Sequence, residues 1–174
     1  MALRLDGPTA MRFPRDTCPA DEYPPVAERR EMAPGKAEVL VDPEEGGVCI
    51  WAYGALVNEA RKAVAAMKAE GLHVGLVDAR FAKPLDEDLL AEHLGSCATV
   101  LTVEEHQRQG GFGSAVLEAA NRMRVGANRV RILGIEDQFV DHATTREEQL
   151  AAQGLDQTGI ERAAKRIAQR VKEV

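Results

Sequence analysis

The sequence predicts an α/β protein built on a parallel sheet, and three observations support this class. Two short apolar runs of strand length, Val74–Val77 and Ala98–Val103, are separated by a segment with helical periodicity. The second run leads through a polar segment into the glycine-rich turn Gly110–Gly113, after which a new helical pattern begins. Strand, helix, strand, loop and helix within about 40 residues is the repeat unit of a parallel α/β sheet.

The composition is that of a soluble globular protein. A chain of 174 residues fits one domain, and 45% hydrophobic residues can form a sizeable core. The formal net charge of -6 argues against nucleic acid as a partner, because phosphate binding needs a basic surface. No apolar run approaches the ~20 residues that span a bilayer, and residues 1–16 lack the apolar core of a secretory signal. We therefore expect a cytoplasmic protein without membrane contacts.

The cysteines predict neither a disulfide framework nor a metal site. Cys18, Cys49 and Cys97 are odd in number and far apart, and the sequence contains no CxxC spacing. Cys49 and Cys97 fall within or just before predicted strands, so we expect buried free thiols in a reducing compartment.

The remaining elements follow from apolar patterns and from residues that begin or end helices. Gly71 is placed to end the first helix, and Asp86 is a good N-cap for the second. Thr144 or Thr145 is expected to cap a short helix that ends near Gln153. The predicted strands cover 38–41, 48–53, 72–77, 97–103 and 129–133, and the predicted helices cover 55–70, 87–94, 113–124, 145–153 and 156–174.

The first 34 residues look different from the rest. Thr9–Phe13 is a short semi-apolar strand that stops at Pro14, and one strand cannot form a domain. Residues 1–16 therefore look like the end of a preceding domain. Residues 17–34 carry four prolines among many charges, which predicts an extended linker.

The turn Gly110–Gly113, followed by Ser114, has two interpretations. It lies at a predicted helix N-terminus, where free N–H groups favour an anion such as phosphate. It matches neither GxGxxG nor the P-loop pattern, however. We favour a tight turn that lets the helix pack close to the sheet.

The segment Glu104-Glu105-His106 resembles an acid–base or metal cluster. Adjacent residues of an extended segment point to opposite faces, so Glu104 and Glu105 are not expected to share a ligand. One of them is instead expected to approach a partner surface at the carboxyl edge of the sheet. The other histidines are isolated in the sequence and are predicted to lie at the surface or at an edge; they are His73, His93 and His142, the last forming the pair Asp141-His142 in a loop.

Two arginines flank a rigid Phe-Pro dipeptide near the N-terminus. Arg12 and Arg15 could present a guanidinium fork to a phosphate group, or they could be two solvated charges. The residues themselves leave both interpretations open.

The strings MRFPRD (11–16), DARFAKPLD (78–86), VEEHQRQGGFGS (103–114) and the tail from Gly134 to Asp156 carry a family resemblance. Over residues 1–16 and about 35–172, the chain resembles the 1-deoxy-D-xylulose-5-phosphate synthases. The middle two strings are also similar, more loosely, to other transketolase-like enzymes and to β subunits of 2-oxoacid dehydrogenases.

The resemblance implies an architecture. Residues 1–16 would be the end of a pyrimidine-binding domain, residues 17–34 a Pro-rich linker, and residues 35–174 a transketolase C-terminal domain. That domain would be a three-layer α/β/α sandwich. Its sheet would have about five strands, mostly parallel, with one antiparallel edge strand.

The resemblance also implies a function. The family condenses pyruvate with glyceraldehyde 3-phosphate on thiamine diphosphate and Mg²⁺, releasing CO2, in the biosynthesis of isoprenoids and thiamine. The second arginine of the RFPR string binds the triose phosphate, and it falls on Arg15; this sequence has Asp16 where the family usually has glycine. The family's cofactor and metal ligands have no counterpart here, so no catalytic, cofactor-binding or metal-binding residue is assigned to this chain.

The expected role is therefore structural. The chain would support a homodimer, brace the two catalytic domains of the full-length enzyme and be inactive alone. Two alternatives stay open: the C-terminal domain of another transketolase-like enzyme, such as a 2-oxoacid dehydrogenase β subunit, and a stand-alone dimerisation module without catalysis.

Overall fold

The computed structural model describes residues 2–10, 31–141 and 145–172, and it divides into two compact units, 1–34 and 35–174. In the first unit, Ala2–Arg4 form a 3₁₀ turn and Arg4 makes an exposed ion pair with Glu31. Of the predicted strand Thr9–Phe13, only residues 9 and 10 are described, and both are irregular. The other residues of that strand and Cys18 lie outside the described residues.

The described residues of the second unit form five strands and five α-helices in the predicted order, with a short 3₁₀ turn at Ala127–Arg129. The strands are β1 (Glu38–Val41), β2 (Val48–Ala52), β3 (Val74–Asp78), β4 (Thr99–Gln107) and β5 (Val130–Ile135). The helices are α1 (Leu56–Ala69), α2 (Glu87–Ser96), α3 (Phe112–Met123), α4 (Arg146–Gln153) and α5 (Gln157–Lys172). None of the described helices is both long enough and apolar enough to cross a membrane.

The five strands form one sheet in the order β1-β3-β2-β4-β5. β2 pairs in parallel with both β3 and β4, and β4 pairs in parallel with β5. β1 lies at the edge and runs antiparallel to β3. The prediction of a mostly parallel five-stranded sheet with one antiparallel edge strand is confirmed.

Helices cover both faces of this sheet, which confirms the three-layer sandwich. One apolar core joins the sheet to α1 and α5, and a second core on the opposite face joins it to α2 and α3. Every residue of β2 is buried, as its continuous apolar sequence predicts for a central strand covered on both sides.

The predicted helix boundaries hold where a specific cap was identified. Asp86 accepts a hydrogen bond from the backbone N–H of Leu89, and Thr145 forms a capping box with Glu148. Gly71 follows α1 with a φ of +79°, a conformation that glycine adopts at low cost.

Several boundaries differ from prediction, among them the starts of β3 and β4 and the end of β5, and two of the differences have a clear structural cause. α2 runs through Gly95 to Ser96, because the glycine has ordinary helical geometry and the N–H of Cys97 still bonds to the carbonyl of His93. β4 extends four residues beyond Val103 to Gln107. The added residues run alongside β5. The β4–β5 register shifts after Val103, and Gln107 then pairs with Ile135.

The prediction that His93 lies at the surface or at an edge is wrong. His93 is buried on the inner side of α2, where its Nδ1 accepts a hydrogen bond of 3.1 Å from the indole Nε1 of Trp51. The two rings meet edge to face, with centroids 5.8 Å apart. Burial lowers the pKa of His93 and so favours the neutral ring that can accept this bond. The prediction does hold for His73, whose side chain is 65% exposed.

Cys49 and Cys97 are buried free thiols, as predicted. The interaction between the two thiols is the main cause of both perturbed pKa values: it lowers the pKa of Cys97 to about 7 and raises that of Cys49. The Cys49 sulfur also lies 3.4 Å from Nδ1 of His93. The thiols therefore belong to a small polar cluster inside the second core.

Candidate functional site

The carboxyl ends of β2 and β4 mark the place where a ligand or partner most often binds in an open α/β sheet. β2 connects through α1 to β3 on one side, while β4 connects through α3 to β5 on the other. The helices that follow these two adjacent strands thus lie on opposite faces and leave a crevice between them. Tyr53 follows β2 at this point, and Glu104, Glu105 and His106 form the end of β4.

Glu104 fills the inner part of this crevice. Its side chain is fully buried, and its two carboxylate oxygens accept hydrogen bonds from the backbone N–H groups of Phe112 (2.5 Å) and Gly113 (2.6 Å). These two N–H groups belong to the first turn of α3, where no carbonyl of the helix can reach them. Glu104 therefore caps α3 from the neighbouring strand.

Opposing influences act on the pKa of Glu104. Burial raises the pKa above its usual value of 4.5, while the two N–H donors and the nearby His106 ring lower it. Burial is the largest influence, so the net shift is upward. His106 Nδ1 lies 3.7 Å from the carboxylate, at the solvent side of the crevice.

The glycine-rich turn is required for this arrangement. A Cβ atom on Gly111 would overlap the Glu104 carboxylate, and one on Gly113 would lie 2.6 Å from both Ile132 Cγ2 and Thr102 Oγ1. The favoured interpretation of a tight turn that brings the helix close to the sheet is supported. The phosphate alternative is not supported, because a carboxylate of the chain itself already occupies two N–H donors of α3.

We expect Gly113→Ala to lower the free energy of unfolding by about 1–3 kcal/mol, since the added methyl group has no space against the sheet. Gly95→Ala is a matched control: it lies inside a helix, and its Cβ would meet nothing within 4 Å. Alanine has the higher helix propensity, so this control should stabilise by about 0.5–1 kcal/mol. Urea denaturation of both variants measures the difference. Equal effects would contradict the close approach of α3.

Aromatic rings form the outer part of the crevice. Tyr53 stacks on Phe112 with centroids 5.0 Å apart and planes 14° from parallel. His106 lies 5.9 Å from Tyr53, and its side chain is 56% exposed. Phe112 is buried in the second core and Tyr53 is half-buried, so Tyr53 and His106 form the accessible part of this aromatic cluster.

Charged pairs lie at the carboxyl ends of β3 and β4. Glu105 points away from Glu104 and pairs with Arg146 of α4, as expected for adjacent residues of a strand. At the end of β3, Arg80 pairs with Glu38, and its backbone N–H donates to Asp78 Oδ1 at 3.0 Å. Burial raises the pKa of Asp78, against the influence of Arg80. Glu104 and Glu105 thus have separate roles, and neither forms an acid–base pair with the other.

The structure leaves several candidates untested. Within residues 2–10, 31–141 and 145–172, no group of three or more His, Cys, Asp or Glu side chains is arranged to hold a metal ion. Arg12, Arg15 and His142 lie outside the described residues. The substrate-binding role of Arg15 therefore stays a prediction.

The fold and the glutamate-capped glycine turn define the class. Residues 35–160 match the family described as "Transketolase, C-terminal domain". The chain belongs to this family.

The curated relatives of the chain narrow the comparison from this family to one enzyme of the family. The chain is 40% identical over 169 residues to the 1-deoxy-D-xylulose-5-phosphate synthase of Anaeromyxobacter sp. (strain Fw109-5), covering 95% of this chain and 26% of that protein. It is 42% identical over 162 residues to a synthase of the same name from Thermus thermophilus, covering 93% of this chain and 24% of the relative. The chain thus spans about a quarter of the length of the curated relatives it matches.

A solved structure gives the same picture. A split-gene transketolase, described as an inactive β4 tetramer, superposes with a TM-score of 0.70 at 30% identity. The match covers 80% of this chain and 44% of that one. The resemblance predicted from the sequence strings is confirmed.

Proposed function

We propose that this chain is the C-terminal domain of a 1-deoxy-D-xylulose-5-phosphate synthase. The whole enzyme condenses pyruvate with glyceraldehyde 3-phosphate to form 1-deoxy-D-xylulose 5-phosphate and CO2, supplying isoprenoid and thiamine biosynthesis in the cytoplasm. The observation that carries this proposal is an identity of about 40% over nine-tenths of the chain to proteins of that name.

Within that enzyme, the chain has a structural role. Residues 1–16 complete a pyrimidine-binding domain, residues 17–34 are a linker, and residues 35–174 form the C-terminal domain. Thiamine diphosphate and Mg²⁺ bind to the other domains, and the enzyme is a homodimer. The aromatic and charged carboxyl edge around Tyr53 and His106 supports this role, because half-exposed rings beside ion pairs are typical of surfaces that meet another domain.

The purified 174-residue chain is expected to form no 1-deoxy-D-xylulose 5-phosphate from pyruvate and glyceraldehyde 3-phosphate, even with added thiamine diphosphate and Mg²⁺. The inactive state named for the split-gene transketolase tetramer supports this expectation. The control is the intact gene product under the same conditions, which should be active. Turnover by the short chain would overturn the structural role. Activity of the intact product only with a lipoyl acceptor would favour the 2-oxoacid dehydrogenase alternative.

Arg15 is proposed to bind the phosphate of the triose. In the intact protein, Arg15→Ala should raise the KM for glyceraldehyde 3-phosphate about tenfold or more, because one charge-assisted contact to phosphate is lost. The KM for pyruvate should stay the same. Arg12→Ala, which removes the other arginine of the same string, is the matched control and should have a smaller effect. Equal effects of the two substitutions would argue against a specific role for Arg15.

A further inference from the structure

A long groove lies beside β5 on the face of the sheet that carries α1 and α5. Its volume is about 1050 Å³, and it runs from Gly46 and Cys97 at the amino end of the strands to Arg108 and Glu136 at the carboxyl end. We call it the β5 groove. Its floor includes Leu133 of β5 and Ile167 of α5, which are both only half-buried.

The groove lies where the sandwich has room for one more helix. On this face α5 packs against α1, β2 and β4, while on the opposite face α3 packs against both β4 and β5. A helix is about 10 Å across and covers roughly two strands spaced about 4.8 Å apart. Among the described residues, no helix therefore covers the α5 side of β5 as α3 covers the other side.

Positive charge is concentrated along this groove. Five arginines line it against two glutamates, although the whole chain carries a net charge of -6. The arginines are Arg108, Arg129, Arg131, Arg166 and Arg170.

Few carboxylates of the described chain neutralise these arginines. Arg108 pairs with Glu136, at the carboxyl end. The hydrogen bonds recorded for Arg129, Arg131 and Arg166 instead go to backbone carbonyls. These guanidinium groups keep most of their capacity to pair with an incoming carboxylate.

The charges lie on both sides of the apolar floor. Arg166 and Arg170 are four residues apart and so lie on the same face of α5. Arg131 lies on the opposite wall, on β5. A helix with an apolar stripe and carboxylates on both sides of that stripe matches this pattern.

We infer that the β5 groove is a docking site for an acidic amphipathic helix of a partner polypeptide. The apolar stripe of that helix packs on Leu133 and Ile167, and its carboxylates pair with the arginines of the two walls. A small anion would use the arginines and leave the apolar floor without a role. A nucleic acid would be repelled by the net charge of the rest of the chain. This inference does not depend on the proposed enzymatic reaction.

The test uses the full 174-residue chain and a fluorescent peptide of about 18 residues, close to five helical turns, with leucine on one face and glutamate beside it. Anisotropy should show saturable binding that weakens as salt rises. Arg166→Glu with Arg170→Glu should weaken it about tenfold or more, which corresponds to about 1.4 kcal/mol. The single variant Arg166→Glu should also weaken binding. Arg61→Glu makes the same charge change as that single variant on an exposed residue of α1, outside the groove lining, and should leave binding unchanged.

Further measurements check that the variants are folded and distinguish a helix from other ligands of the β5 groove. Circular dichroism checks that the variants are folded, and Arg166→Gln with Arg170→Gln serves as a milder second variant. The inference is overturned if the wild-type chain does not bind the peptide, or if a lysine version of the peptide binds equally well. It is also overturned if Arg61→Glu weakens binding as much as Arg166→Glu does. Two results together would identify a small-anion site instead. Inorganic pyrophosphate would displace the peptide fully at constant ionic strength, and a peptide with serine in place of the leucines would bind as tightly as the original.

Discussion

Glu104→Ala is expected to lower the free energy of unfolding by about 3 kcal/mol, measured by urea denaturation at neutral pH. The substitution leaves the N–H groups of Phe112 and Gly113 without their carboxylate acceptor in a site closed to water. Each buried donor without a partner costs about 1–3 kcal/mol. The loss of an ordinary helix cap costs about 1 kcal/mol. A larger loss of stability is expected here because the Glu104 cap is buried.

Glu105→Ala is the matched control. It lies next in the sequence and carries the same charge, but it points to the other face and pairs with Arg146 in a partly exposed ion pair. Such pairs contribute about 0–1 kcal/mol. If the two alanine variants lost the same stability, Glu104 could not be a buried cap.

The pH dependence of the unfolding free energy gives a second measure of how Glu104 contributes to stability. The upward shift of its pKa means that the folded protein holds the Glu104 proton more tightly than the unfolded chain does. The stability contributed by this proton is fully present below the usual pKa of 4.5, and it is lost as the pH rises through the raised pKa. Glu104→Gln cannot titrate, so the stability of the wild type relative to this variant should fall as the pH rises across that window. A relative stability that rises across it would contradict the sign of the shift.

Trp51→Ala is expected to cost about 3–5 kcal/mol, because it empties a large buried volume at the centre of the sheet. Trp51 is fully buried in β2, between its neighbours β3 and β4. The substitution also removes the N–H donor to Nδ1 of the buried His93. Thermal and urea denaturation measure the loss.

Two companion variants separate the causes of that loss. Trp51→Phe keeps most of the ring volume but removes the donor to His93, so it should cost about 1–3 kcal/mol. Phe139→Ala changes an aromatic residue that is fully exposed, and it should change stability by less than about 0.5 kcal/mol. A Trp51→Ala effect as small as that of Phe139→Ala would mean that the core tolerates the loss of this ring.

The two cores and the sheet could be predicted because their signals are local. The all-apolar β2 requires cover on both faces, whichever helices supply it. Asp86 and Thr145 each cap a helix by accepting from the backbone N–H three residues further on, and those contacts depend on little else. The family strings added the expectation of one antiparallel edge strand, which periodicity alone does not contain, whereas the order of the strands came from the structure.

The candidate site depended on contacts between distant residues. From the sequence, Glu104 and the glycine turn looked like two features, a possible acid–base residue and a possible anion site. In the structure, the Glu104 carboxylate is itself the anion that the glycine turn binds. It accepts from the N–H of Phe112, which lies eight residues further along the chain. A glycine-rich turn that is preceded by a strand ending in glutamate could have suggested this pairing.

The environment of His93, in contrast, could not have been suggested by any signal in the sequence. Nothing beside it in the sequence indicates a partner, because its hydrogen-bond donor, Trp51, is 42 residues away on a different element. The β5 groove was equally invisible, since its arginines come from separate elements that only the packing of α5 beside β5 brings together. By itself, the sequence determined the fold class, the caps and the family, because short-range periodicity and motif strings carry them. Only the tertiary structure decided which polar groups are buried together and which charges share a surface, because those depend on how far apart the folded elements lie in space.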